Sequence, residues 1–368
     1  RDSYSRNSAL SSFGDGGIRE HMKYPHENRT SLFFVKTPEN QRIAYDNDGI
    51  HRYAGLHGQL EYSDDKVSAF LAGSVSRTQY VRVDRMNYIG TENGGTAQES
   101  RKVNITGHNL KAGFNFNFND ASNFYLNGGT FSRAPFFNFV FTNYQNVVVD
   151  PLENEKARSI EAGYGYRSSD LTMNLNIYRT SWKDRFLSDY VRINGVGGIA
   201  NYTGVEQVHQ GIEFDAFWKM SPLVNLEGMV TLGNYEYGSD VTDSNVTNNS
   251  GQSIGSATLF LDGEKVGTTA HTTARLNLTV NPSDNFKFNL SLFHADDIFG
   301  TINTEDFQDP EDTTMQLPSY ELFDFGASYT LNNFFGNNLY LRLNINNLFN
   351  EEYYYMSRNN VIATPTTP

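Results

Sequence analysis

Apolar and polar residues alternate with a period of two along most of this chain. Between residues 114 and 119 every second residue is Phe and every other residue is Asn. From Leu171 to Ile177 the odd positions are apolar and the even positions are polar. Successive side chains of a β-strand point to opposite faces, so this pattern predicts strands with one apolar and one polar face. No convincing helical stripe longer than two turns competes with it.

The alternation predicts twelve strands, most of them ten residues long or more. Strands of soluble proteins usually have about 5–6 residues, whereas a tilted strand of about 9–11 residues crosses a bilayer. The strand lengths therefore favour a membrane protein built from strands. The predicted strands cover residues 52–62, 67–80, 104–118, 123–132, 156–167, 171–183, 204–219, 224–236, 268–281, 286–294, 320–331 and 338–348.

The connections between these strands are alternately short and long. Short connections such as 63–66 and 168–170 take turns with long ones such as 81–103, 184–203 and 237–267. A soluble sandwich or propeller has no physical reason for this order. A transmembrane β-barrel has one, because tight turns lie on the periplasmic side and long loops lie outside. The sequence therefore predicts an all-β fold, a transmembrane antiparallel β-barrel.

The composition fits this fold although its average is polar. Only 38% of residues are hydrophobic and the mean hydropathy is −0.53, as expected when only the lipid-facing half of each strand is apolar. No segment approaches the roughly 18–20 apolar residues of a membrane helix. The absence of Cys excludes a disulfide scaffold and a cysteine nucleophile. Aromatic residues near strand ends are predicted to form girdles at the membrane interfaces: Tyr62, Tyr80, Trp182, Trp218, Tyr320 and Tyr329.

Four segments resemble motifs of TonB-dependent outer-membrane receptors, particularly those of Bacteroidetes-type bacteria. Leu317–Tyr329 resembles the strand motif L-P-x-Y-x-x-x-D-x-G-x-x-Y of these receptors, and Asn346–Tyr353 resembles their motif N-N-L-F-N-x-x-Y near the end of the barrel. Each motif alone is weak, but their order and spacing are specific. The other two segments are Phe131–Pro135 and Leu152–Tyr164, and the resemblance spans roughly 120–355.

The resemblance implies that the chain is the C-terminal part of one larger barrel domain, with about 12 of an expected 22 strands. Residues 1–51 are expected to be an outer loop or the end of a preceding strand, and 52–348 the barrel strands. Residues 349–368 are expected to be an outer loop before a missing last strand. The plug domain and the TonB-contacting segment are expected to lie outside this chain.

The function implied by the resemblance is TonB-energised uptake of a scarce ligand of the siderophore, cobalamin or oligosaccharide class. The implied location is the Gram-negative outer membrane. The implied partners are outer-membrane lipid, the ligand, and the TonB complex through the N-terminal part. Two alternatives stay open: a passive porin-type barrel, and a soluble or surface-displayed β-adhesin that binds glycans.

Charge and motifs exclude other classes of function. With 42 acidic and 29 basic residues the net charge is −13, which disfavours binding to nucleic acid because that needs a basic face. The chain is predicted to carry no catalytic motif and therefore no enzymatic activity and no cofactor.

Two of the long loops contain candidate ligand-binding residues. Loop 133–155 is aromatic, and rings offer rigid contact area to sugars, catechols or corrin edges, although packing of the loop against its neighbours is the favoured interpretation. Loop 295–319 carries seven acidic residues and no basic one, but its spacing matches no defined calcium loop, so a solvated loop is favoured and no metal site is predicted. Residues 46–49, Asp-Asn-Asp-Gly, are predicted to form an Asx-Gly turn. The candidate residues are Phe136, Phe137, Phe139, Tyr144, Asp306, Phe307 and Asp309.

Overall fold

A computed structural model describes residues 2–5, 42–84, 98–141, 145–248 and 252–357, with side chains from residue 47 onward. Sixteen strands form one antiparallel sheet. They are β1 Asp2–Ser5, β2 Arg42–Ser63, β3 Val67–Asp84, β4 Val103–Asn119, β5 Ser122–Arg133, β6 Glu155–Arg167, β7 Leu171–Ile193, β8 Val196–Lys219, β9 Val224–Tyr237, β10 Val241–Thr247, β11 Ser253–Leu259, β12 Ala270–Ser283, β13 Phe286–Phe299, β14 Gln316–Leu317, β15 Tyr320–Phe334 and β16 Asn337–Ile345.

The sheet is an up-and-down meander. Strands β1 to β9 pair in chain order and are followed by β12, β13, β15 and β16. Strand β10 pairs with β11 and with the end of β8, and β14 pairs with β13. Among the described residues β1 and β16 do not pair with each other, so the sheet is open, as a partial barrel is. All twelve predicted strands are present, and the predicted all-β antiparallel fold is confirmed. Among the residues that the structure describes, helix is confined to short segments, and none is long and apolar enough to cross a membrane.

Two predicted loops contain β-hairpins instead. Strands β7 and β8 continue through the predicted loop 184–203 and end in a two-residue turn at Asn194 and Gly195. Both residues have positive φ, 51° and 80°, which Asn-Gly provides readily in a tight hairpin. Likewise β10 and β11 form a hairpin inside the predicted loop 237–267. Both hairpins persist because their side chains bury one another: Val191, Ala200, Tyr202, Val246 and Leu259 are fully buried in one cluster.

The predicted turn at 46–49 is also wrong. Strand β2 begins at Arg42, ten residues before its predicted start, and includes this segment. Asn47 pairs with Asp84 and Gly49 with Arg82 of β3. Pairing with a long neighbouring strand therefore overrides the local turn preference of an Asx-Gly sequence.

Register places the apolar positions of the long strands on one face of the sheet, here called the apolar face; the opposite face is called the polar face. Leu60 pairs with Leu71, Leu175 with Phe214, and Leu278 with Leu290. These side chains are not covered by protein: Leu56 and Leu60 are 77% and 75% exposed. Because soluble monomers rarely expose apolar patches above a few hundred Å², a face of this extent needs another apolar medium against it.

The short and long connections lie at opposite ends of the sheet, here called the turn end and the loop end. At the turn end Asp64 accepts hydrogen bonds from the Tyr62 hydroxyl at 2.6 Å and from the backbone N–H groups of Lys66 and Val67 at 2.8 Å each. These bonds lower the pKa of Asp64, and the bond from Tyr62 has the largest effect. At the loop end the long connections pack into three buried clusters.

The predicted aromatic girdle is half right. Tyr62, Trp218 and Tyr329 lie on the apolar face near the turn end, where a girdle requires them. Tyr80, Trp182 and Tyr320 alternate onto the polar face at the loop end instead. Their position near strand ends was visible in the sequence, but the face depends on register.

Candidate functional site

The aromatic loop between β5 and β6 divides its rings between two environments. A one-turn helix, α1 Phe137–Val140, directs Phe137 toward the sheet, where its ring meets Tyr80 edge-on at 5.7 Å and Phe141 at 5.1 Å. Val140 and Phe141 are buried beside them. Phe137 therefore anchors the loop to the sheet. Of the other predicted residues in this loop, Tyr144 lies outside the described residues.

Phe136 and Phe139 open instead onto a cavity of about 250 Å³ between this loop and the β7–β8 hairpin. Phe139 stacks on Phe186 of β7, with ring centroids 4.6 Å apart and planes 27° apart. Phe136 meets Phe139 edge-on at 5.8 Å and remains largely exposed. The three rings form a platform of the kind that holds flat ligands. The cavity, here called the aromatic pocket, is also lined by Pro135, Val149, Pro151, Leu152, Glu153, Glu155, Asp184, Thr203 and Gly204.

The rim of the aromatic pocket carries three carboxylates and two cations. Lys156 bridges Glu153 at 3.0 Å and Asp184 at 2.7 Å. Arg133 pairs with Glu155 at 2.9 Å, and its guanidinium lies 4.6 Å from the centroid of the Phe136 ring. These pairs hold the charged groups in place around the rings. They also leave the rim with one more negative than positive charge.

The acidic loop is more enclosed than its charge suggests. Phe307 is fully buried against the β7–β8 and β10–β11 hairpins, in a 3-10 turn from Asp306 to Gln308. The Thr304 hydroxyl donates to Asp189 of β7 at 2.8 Å. Phe307 therefore packs the loop, whereas Asp309 is exposed. Within the described ranges no group of three His, Asp or Glu side chains is arranged to hold a metal ion. The predicted residues thus do not form one site.

Sequence reasoning missed Phe186, because it lay in a segment predicted to be loop. It also missed a stack of rings across five strands at the loop end of the polar face. The stack runs Trp182, His209, Tyr235, His271 and Phe299, with successive centroids 4.5–5.0 Å apart. Period-two alternation could have indicated a shared face, but only register places these residues side by side.

The middle of the polar face is acidic. Glu161, Glu213 and Asp215 lie on β6 and β8, with β7 between them. Asn176 donates to Glu213 at 3.2 Å and Asn174 to Asp215 at 2.9 Å. None of the three carboxylates forms an ion pair within the part of the chain described. This surface is therefore complementary to a cationic partner.

The prediction that no catalytic motif occurs needs one correction, since residues 251–255 read Gly-Gln-Ser-Ile-Gly and match G-x-S-x-G. A nucleophile elbow would place this serine between a strand and a helix. Ser253 instead begins strand β11, and its hydroxyl donates to Asn245 at 2.6 Å. The match has no catalytic setting.

A family model described as "TonB dependent receptor-like, beta-barrel" matches residues 9–348. The chain belongs to this family. It is a family of outer-membrane receptors, not of enzymes. No protein with a curated description matches the chain significantly.

Solved structures of family members share the fold at low sequence identity. The ferric citrate transporter FecA superposes with a TM-score of 0.63 at 14% identity, covering 87% of this chain and 44% of its own. The copper transporter OprC superposes with a TM-score of 0.60 at 15% identity, and the match covers 85% of this chain and 44% of OprC. The siderophore receptor PiuA from Acinetobacter baumannii superposes with a TM-score of 0.60 at 18% identity, and the match covers 86% of this chain and 41% of PiuA. This TonB-dependent receptor barrel thus spans less than half the length of these proteins.

Proposed function

We propose that this chain forms part of the wall of an outer-membrane receptor that takes up a scarce ligand with energy from TonB. The observation that carries the proposal is the sheet itself. A continuous apolar face backs a continuous polar face, and the buried loop clusters lie at one end only. A lipid bilayer can cover the first face, and a wet lumen can occupy the second.

The plug and the TonB-contacting segment would come from the rest of the receptor. The acidic middle of the polar face supports a plug on this side of the wall. Within the described residues Glu161, Glu213 and Asp215 form no ion pair with the basic side chains of the same face. A basic surface of the plug would neutralise them while remaining movable, because such pairs exchange readily with water.

The aromatic pocket supports a ligand site at the outer mouth. The stacked rings of Phe139 and Phe186 would hold a ring of a siderophore, cobalamin or oligosaccharide. The negative rim disfavours ligands of high negative charge, since each carboxylate opposes them. The copper, ferric citrate and siderophore receptors named above are relatives in fold and do not decide among these classes.

TonB dependence tests the proposal directly. The full receptor should restore uptake of one labelled substrate from a panel of ferric siderophores, cobalamin and neutral oligosaccharides in a receptor-deficient host, and deletion of TonB should abolish it. Uptake that persists without TonB would establish the porin-type alternative. Recovery of the protein in the soluble fraction without detergent would establish the adhesin alternative.

Removing the stacked ring should weaken capture of the transported ligand. Phe139→Ala is expected to lower affinity about 10-fold, because a stacked aromatic contact contributes about 0.5–1.5 kcal/mol beyond its buried area. Phe335→Ala is the control, since that ring is 90% exposed in a turn-end connection. Binding to whole cells at 4 °C measures the effect before transport. Equal affinities of the two variants would place the ligand elsewhere.

A further inference from the structure

The apolar face ends abruptly toward the loop end. On four of the strands from β2 to β7, the first residue beyond the apolar positions is an arginine. Along β3 the positions Leu71, Gly73 and Val75 are followed by Arg77, and along β7 Leu175 and Ile177 are followed by Arg179. The same change occurs on β2 and β6. The four residues, here called the arginine row, are Arg52, Arg77, Arg158 and Arg179.

The arginine row has no counter-charge in the part of the chain described. All four side chains are exposed. Arg52 donates to the amide oxygen of Gln79 at 3.1 Å, Arg179 contacts Gln210, and none of the four is in an ion pair. One position further out the arrangement differs, since Lys156 is paired with Glu153 and Asp184.

Acidic residues on the apolar face lie mainly on the other side of the sheet. Glu206, Glu236, Asp296 and Glu321 belong to β8, β9, β13 and β15. Strands β2 to β7 therefore present positive charge at the edge of the apolar surface, and the later strands present negative charge. This separation leaves the arginines without partners on their own side.

Register brings the arginines together in pairs. Arg77 is opposite Ala54 and Arg52 is opposite Gln79, so the two arginines are diagonal neighbours on adjacent strands. Arg158 and Arg179 are diagonal in the same way, opposite Ser181 and Ile160. Diagonal neighbours lie about 7–8 Å apart, and their Cβ atoms somewhat closer. Two long guanidinium side chains at that spacing can converge on one anion.

We infer that the arginine row binds the phosphate groups of lipids in the outer leaflet; this rests on the proposed function, which puts the apolar face in the membrane. The apolar positions contact the acyl chains, and the next position outward lies at the depth of the headgroups. At that depth a cationic side chain costs little by itself, and an anionic headgroup attracts it. Guanidinium groups bind phosphate through paired hydrogen bonds.

Lipid retention by the purified full receptor tests the inference. The receptor is reconstituted in phosphatidylcholine nanodiscs with either diphosphoryl lipid A or the same lipid without its phosphates. Native mass spectrometry then counts the bound molecules. Wild type should retain the phosphorylated lipid preferentially. Arg158→Gln with Arg179→Gln should lower its apparent affinity about 30-fold, since each arginine at an anionic surface contributes a factor of about five.

Two further variants keep the outcome interpretable. Arg158→Lys with Arg179→Lys preserves the charge but not the paired hydrogen bonds, so it should bind more tightly than the double Gln variant and less tightly than wild type. Arg342→Gln removes an arginine from the polar face and should change binding less than two-fold. Heat-dependent mobility in gels checks that each barrel is folded. Equal retention of both lipids, or no loss in the double Gln variant, would overturn the inference. If TonB-dependent uptake persisted while either of these results was obtained, the lipid inference would fail and the proposed receptor function would stand.

Discussion

Leu175→Lys is expected to destabilise the membrane-inserted receptor by about 2–4 kcal/mol, the cost of a cationic side chain near the middle of a barrel's lipid-facing surface. Leu175 lies in the middle of the apolar face on β7, between Tyr164 and Phe214 of the adjacent strands. Phe214 has no hydrogen-bond acceptor for an ammonium group, and no carboxylate is directly opposite Leu175. Guanidinium unfolding of the full receptor from phospholipid vesicles measures the effect.

Asn174→Lys, one residue earlier, is the matched control. Asn174 is on the polar face, where it donates to Asp215 at 2.9 Å. A lysine there gains a carboxylate partner in a wet lumen, so the expected change is within about 0.5 kcal/mol. The two variants have the same chemistry and almost the same place in the chain. Equal costs would mean that both faces meet water, which would contradict the barrel.

Gly163→Val should destabilise the barrel by about 1–3 kcal/mol, the range for forcing extra carbon into a packed site. A Cβ atom at Gly163 would lie 2.2 Å from Cζ of Tyr125, whose ring covers this glycine on the polar face. The ring would have to move and would lose the hydrogen bond from its hydroxyl to Asn176, 3.2 Å long. Intrinsic strand preference alone predicts that Gly163→Val would stabilise the barrel, since Val is the better strand former.

Gly58→Val distinguishes these two effects. Gly58 is on the apolar face of β2, and a Cβ atom there would meet nothing within 4 Å. The change should be neutral or stabilising by a few tenths of a kcal/mol. Adding Tyr125→Ala to Gly163→Val should recover about 1 kcal/mol, because the clash then has no ring. Additive effects of the two substitutions would show that the ring is not the cause.

Tight packing of an aromatic ring on a glycine occurs at a second place on the polar face. Phe70 covers Gly113 on the same face, where an added Cβ atom would lie 2.2 Å from the ring. The same contact between a ring and a glycine thus occurs between β3 and β4 as well as between β5 and β6.

The sequence by itself determined the twelve long strands, their order and the apolar and polar faces. Period-two alternation is a local property, and register follows once one face must avoid water. It also indicated the candidate rings Phe136 and Phe139. Local signals failed where pairing with a distant strand decided the outcome. The Asp-Asn-Asp-Gly segment joined β2 because β3 is long enough to pair with it, and loop 184–203 became a hairpin because its side chains bury each other.

Only the tertiary structure decided which aromatic side chains could meet a ligand and which hold the fold. Phe137 and Phe139 are two residues apart and chemically identical, yet one ring packs on Tyr80 and the other stacks on Phe186. Their difference arises from contacts with β3 and β7, more than 40 residues away on either side. Likewise the arginine row is dispersed over 128 positions of the chain, from Arg52 to Arg179, and becomes a row only in the sheet. Composition and spacing carry no record of such contacts, because register and burial arise from the whole sheet at once.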